Sequence, residues 1–127
     1  NVFNLGRNHL YFVELNQGLG EESFNVNIIN NSFISNSSAV FSKTSGVNLE
    51  SNIINGPVLL VNATNVGVLN NDITATNYHG IALTGENKGI SINKNSIQYP
   101  SDTRYECISV ASTTNLSEVS LDSNSCN

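Results

Sequence analysis

Apolar and polar positions in this chain fall into a recurring eight-residue order: apolar, any, apolar, any, any, Asn, any, apolar. ISINKNSI, residues 90 to 97, shows it most clearly, and FNLGRNHL from Phe3, VNIINNSF from Val26, VNLESNII from Val47, VGVLNNDI from Val66 and VSLDSNSC from Val119 repeat it. The sixth position is Asn8, Asn31, Asn52, Asn71, Asn95 and Asn124, at successive spacings of 23, 21, 19, 24 and 29 residues. A core of constant length with connections of variable length is the signature of a coiled repeat, not of a globular sandwich.

Each repeat divides into three short strands. A second apolar segment precedes the motif: AVFS at 39 to 42, VLLV at 58 to 61, IALT at 81 to 84 and ISVA at 108 to 111. Turns rich in Gly, Asn and Thr (KTSG, NATN, GENKG, STTNLSE) then lead into the motif strand. Strand alternation turns its first and third residues inward and leaves Asn27, Asn48, Ser91 and Ser120 outside. The motif Asn is expected at a sharp bend, because Asn tolerates left-handed backbone angles and bonds to nearby backbone. Stacked coil upon coil, the same side chains are expected to bond to one another as a ladder.

The third strand follows the Asn, and a loop then enters the next coil. These loops lengthen along the chain, from SNSS at 35 to 38 and Gly56–Pro57 to TNYHG at 76 to 80 and YPSDTRYE at 99 to 106. Rigid scaffolds carry function on such loops. NQGLGEESF at 16 to 24 enlarges a different corner, with Glu21 and Glu22 read as a solvated acidic loop. The expected fold is therefore all-β, a right-handed parallel β-helix of five to six coils forming one domain over residues 1–127.

Composition narrows the functions. With 12% charged residues and a formal net charge of −5, the surface is hydrogen-bonding and weakly acidic, which argues against a nucleic-acid partner. No apolar run reaches transmembrane length. The chain starts at Asn1 without Met, and a fragment of a longer protein is expected. Cys107 and Cys126 are too few for a metal cluster; a bridge closing the last coil is conceivable, and two small buried apolar residues is the favoured reading. Asn30, Asn36, Asn62 and Asn115 begin N-x-S/T sequons, which chance alone supplies in so Asn- and Ser-rich a chain. Glu50, Asp72 and Asp122 are read as making no column, so no metal site and no cofactor are expected.

At GIALTGENKGISINKNSI, residues 80 to 97, the chain resembles the repeats of right-handed parallel β-helix proteins, the pectin-lyase-like superfamily that includes phage tailspikes. The resemblance implies polysaccharide bound along the first strand and the loop entering it, the region of Tyr78, His79, Asp102, Arg104, Tyr105 and Glu106. The clustered Asp residues of pectate-lyase calcium sites are missing. The variable coils look most like a homotrimeric phage tailspike, which implies a virion location and a bacterial surface polysaccharide as partner, with binding and depolymerisation as the two expected activities. A secreted or cell-surface adhesin, or part of a monomeric polysaccharide lyase, is the alternative.

Coil stacking at about 4.8 Å places His79 near Arg104 to Glu106. With Tyr78, Tyr99 and Tyr105 this offers aromatic faces for stacking on a sugar and charged groups for its hydroxyls or carboxylates. Asp102 and Glu106 are the only acids in these loops for glycosidase chemistry. His79 as base and Arg104 as carboxylate neutraliser would instead suit a uronate lyase. Catalysis, sugar binding without catalysis and a purely structural ion-paired loop are the three readings this cluster admits.

Overall fold

Alternation within three short apolar segments per repeat produces three parallel sheets that wrap one core. The computed structural model describes residues 2–3, 11–16 and 26–127. In chain order the strands are β1 (Val2–Phe3), β2 (Tyr11–Asn16), β3 (Val26–Ile29), β4 (Ser32–Phe33), β5 (Ser38–Ser42), β6 (Ser45–Glu50), β7 (Ile53–Asn55) and β8 (Val58–Val61). They continue as β9 (Thr64–Leu69), β10 (Asp72–Thr74), β11 (Ile81–Thr84), β12 (Lys88–Asn93), β13 (Ser96–Gln98), β14 (Ile108–Val110), β15 (Val119–Asp122) and β16 (Ser125–Cys126). Every third strand pairs, giving sheets β1-β4-β7-β10-β13-β16, β2-β5-β8-β11-β14 and β3-β6-β9-β12-β15. The fold is a parallel β-solenoid.

Five stacked strands in each of two sheets correspond to about four turns rather than the expected five to six. The repeat read from Phe3 needs correction: Phe3 pairs with Phe33, in the sheet that follows the ladder Asn, and not with the motif strands that begin near Val26 and Val47, so it does not open a motif coil. Asn8, Glu21 and Glu22 fall outside the described residues.

Register stacks like upon like. Phe33, Ile54, Ile73 and Ile97 form one inward column. Phe41, Leu60, Leu83 and Val110 form a second, and Ile28, Leu49, Val68, Ile92 and Leu121 a third. The central members are fully buried, each contributing roughly 1.5–3 kcal/mol by its removal from water. Leu121, in the last coil, is 49% exposed.

The Asn column is a ladder. Asn71 Oδ1 accepts both the backbone N–H (2.9 Å) and the Nδ2–H (3.0 Å) of Asn52. Its own backbone N–H and Nδ2–H go to Asn95 Oδ1, and its other Nδ2 hydrogen to Leu49 O at 2.9 Å. Asn95 repeats the pattern on Asn124 and Val68 O, and Asn31 N–H reaches Asn52 Oδ1. Every polar atom of the buried Asn71 amide is thereby satisfied, which is what permits an amide inside an apolar stack.

One expectation needs correction. The left-handed residue at this bend is not the ladder Asn but the one before it: Asn30, Ser51, Asn70, Lys94 and Ser123, at φ of 56 to 58°. The reason is geometric. The preceding residue turns the chain and passes its N–H to the next coil, as Ser51 does to Leu69 O. That leaves the following Asn side chain free to point inward.

A second polar column occupies the other corner. Ala63 N–H donates to Asn87 Oδ1 (2.9 Å), and Asn87 Nδ2 to Thr114 Oγ1 (3.0 Å), which in turn donates to Gly85 O. The buried Thr44 hydroxyl has no partner among the described residues, and the methyl of Ala63 offers none within this column. Glu50 and Asp122 do share a column, contrary to the sequence reading, but Leu69 and Asn93 separate them.

Replacing Asn71 with Ala strands the Asn52 donors and Leu49 O, and should lower unfolding free energy by about 3 kcal/mol. Asn124→Ala, at the half-buried end of the ladder, should cost about 1 kcal/mol. Urea denaturation of both variants checks the order; equal losses would remove the ladder from the account.

Candidate functional site

The loops that enter β11 and β14 lie on one corner of the solenoid, and backbone pairing holds them together. Gly80 N–H donates to Glu106 O (3.1 Å) and Ile81 N–H to Cys107 O (3.0 Å), extending the β11–β14 ladder back into both loops. Gly80 is required by this approach, since a Cβ there would lie 2.6 Å from Cys107 O and run into Ile97 Cγ2.

On that base the predicted residues converge. The rings of Tyr78 and His79 meet edge to face with centroids 4.7 Å apart; His79 and Tyr105 do the same at 5.7 Å, and Tyr78 and Tyr105 are 6.1 Å apart. The Arg104 guanidinium carbon lies 5.4 Å from the Tyr105 ring centroid, a cation–π contact. Arg104 Nη2 and Nε grip the Asp102 carboxylate at 2.6 and 3.0 Å, and the Arg104 backbone N–H joins them at 3.0 Å. Glu106 reaches His79 through its backbone, N–H to Nδ1 at 2.9 Å, while its side chain is exposed. Tyr99 is half-buried, and among the described residues no ring contact joins it to the other two tyrosines.

These contacts decide the chemistry on offer. With Nδ1 accepting from Glu106, neutral His79 carries its proton on Nε2 and presents a donor, not a basic lone pair. The Arg104 side chain, then its backbone N–H, hold the Asp102 carboxyl below the usual carboxylate range, and the same ion pair pushes the Arg104 guanidinium up. Asp102 is therefore an anion at neutral pH. Because its folded pKa is depressed, its small contribution to loop order is present above the ordinary Asp value and fades only as pH falls through the lower one. Being exposed, the pair shapes the loop more than it stabilises the protein.

The cysteines are bonded, which corrects the expectation of two buried thiols. Cys107, half-buried beside β14, and Cys126, exposed in β16, form a disulfide with Cα atoms 5.8 Å apart across 19 residues. Cys107 immediately precedes β14 and Cys126 lies in β16, and the coil that runs through both strands brings their sulfurs together. The bridge anchors the residue immediately after Glu106 and so the base of the longer loop. Among the described residues, no three His, Cys, Asp or Glu side chains group as metal ligands, and no helix is long and apolar enough to cross a membrane.

No family model, curated protein or solved structure matches the chain.

Removing the bridge in a Cys107→Ser, Cys126→Ser double variant should cost about 3 kcal/mol for a loop of this length and raise amide exchange in residues 99–106. Urea denaturation and hydrogen exchange check both; unchanged exchange in the loop would separate the bridge from the site. In Arg104→Ala, the Asp102 carboxyl should titrate higher, toward the ordinary Asp range, as read by carboxyl carbon NMR.

Proposed function

We propose that this chain is a pectin-lyase-like β-helix that binds polysaccharide outside the cell, without cleaving it. The observation that carries the reading is the platform of Tyr78, His79 and Tyr105, flanked by the Arg104–Asp102 pair and seated on two paired strands. Aromatic faces with donors at their rim suit pyranose rings, whose C–H faces stack and whose hydroxyls accept from His79 Nε2–H and Arg104. Catalysis is the weaker reading on the same geometry. Asp102 is committed to Arg104, the lone pair of His79 is occupied, and Glu106 alone does not make the two carboxyl groups that glycoside hydrolysis requires.

The disulfide favours a secreted or cell-surface protein over a phage tailspike, because chains assembled in a reducing cytoplasm seldom carry one. One observation favours the homotrimeric tailspike as a second reading. Ile34 and Ile53, 44% and 50% exposed on adjacent coils, supply apolar surface that two further copies would cover.

A glycan array with the intact protein tests binding, and Tyr105→Ala or Arg104→Ala should weaken retention about tenfold or more without lowering the unfolding midpoint. Unaltered retention in both variants would move the site elsewhere. Light scattering separates the two settings: 13.6 kDa supports the secreted reading and three times that mass the tailspike.

A further inference from the structure

We propose that Asn115 is an acceptor for N-linked glycosylation. Four N-x-S/T sequons exist in the chain, and the fold treats them differently. The hydroxyl residue two places on is Ser32 in β4 for Asn30, Ser38 in β5 for Asn36 and Thr64 in β9 for Asn62, each within a paired strand. Asn36 also commits Nδ2 to Thr76 Oγ1, and Asn62 Oδ1 accepts from Glu86 N–H of the next coil. Asn115 alone has its serine outside the sheets. Asn115, Leu116 and Ser117 are exposed, and Asn115 Oδ1 accepts from both the backbone N–H (3.1 Å) and the hydroxyl (3.0 Å) of Ser117. That arrangement turns Nδ2 away from the backbone, with no partner among the described residues.

The reaction needs this freedom. Nδ2 displaces the diphosphate from the anomeric carbon of a lipid-diphosphate-linked oligosaccharide. The new C–N bond forms as the C–O bond breaks, the lipid diphosphate leaves with the bonding electrons, and the amide proton passes to a base of the transferase. Oδ1 is untouched, so its bonds to Ser117 survive. The Cys107–Cys126 bond is the second, independent observation, since it points to the oxidising secretory compartment where such transfer occurs. An attached glycan would stand beside Leu116, 69% exposed, in the last coil.

The inference does not depend on the polysaccharide-binding reading. It is tested by directing the chain through the secretory pathway of a eukaryotic cell and mapping peptides by mass spectrometry before and after an N-glycosidase that leaves aspartate in place of glycosylated asparagine. The expected result is conversion at position 115, abolished in Asn115→Gln and Ser117→Ala and retained in Asn62→Gln. An unmodified Asn115 in secreted, disulfide-bonded protein would overturn the proposal, as would conversion confined to positions 30, 36 or 62.

Discussion

The amide ladder is the interaction on which the rest of this solenoid depends. Hydrophobic columns alone set no unique register between coils, because a strand displaced by two residues still offers the core an apolar face. The ladder removes that freedom. Asn71 Oδ1 must sit within hydrogen-bond distance of both donors of Asn52, and Asn71 must reach Asn95 and Leu49 at once. A slipped coil would bury an amide with its donors and acceptors unpaired, at a cost comparable to the net stability of a small domain. The asparagines act less as glue than as a lock on register.

Once one corner is fixed, the others can vary. The corner before β5, β8, β11 and β14 takes connections from two residues to nine without disturbing the strands after it, since each new strand is caught by the one below and aligned by the next ladder Asn. Conformational entropy lost in a longer loop grows slowly with its length. A rigid stack can therefore carry an aromatic platform on one side while its core repeats unchanged. The second polar column shows the same logic in weaker form: Asn87 and Thr114 link three coils, and the chain tolerates Ala63 in the series, which leaves the Thr44 hydroxyl without a partner among the described residues.

Fold and site were legible in the sequence to different depths. The inward columns and the ladder could be read because strand alternation and a recurrent Asn leave a periodic trace. The left-handed residue before each Asn could not, since Asn30, Ser51, Asn70, Lys94 and Ser123 share a backbone angle and no side-chain type. The second polar column was present in the turns KTSG, NATN, GENKG and STTNLSE, but their unequal lengths hid which residues stack. At the site, coil spacing correctly brought His79 to the Arg104–Glu106 segment. Its chemistry was invisible, because the tautomer of His79 depends on a backbone N–H, which no sequence pattern records.

The cysteines show where a local reading misleads. In isolation, two cysteines within apolar segments look like core, and Cys126 does occupy the inward column that Ile97 occupies one coil below. Burial in a solenoid, however, comes from the coil above as much as from the coil itself. Among the described residues no coil packs over Leu121 or Cys126, and both are exposed. What holds Cys126 is a covalent bond and not core packing. It ties β16 to the start of β14, and because Cys107 follows Glu106 directly, it also anchors the loop that carries Arg104 and Tyr105. Tying β16 to β14 and holding the platform in place are thus two consequences of one bond.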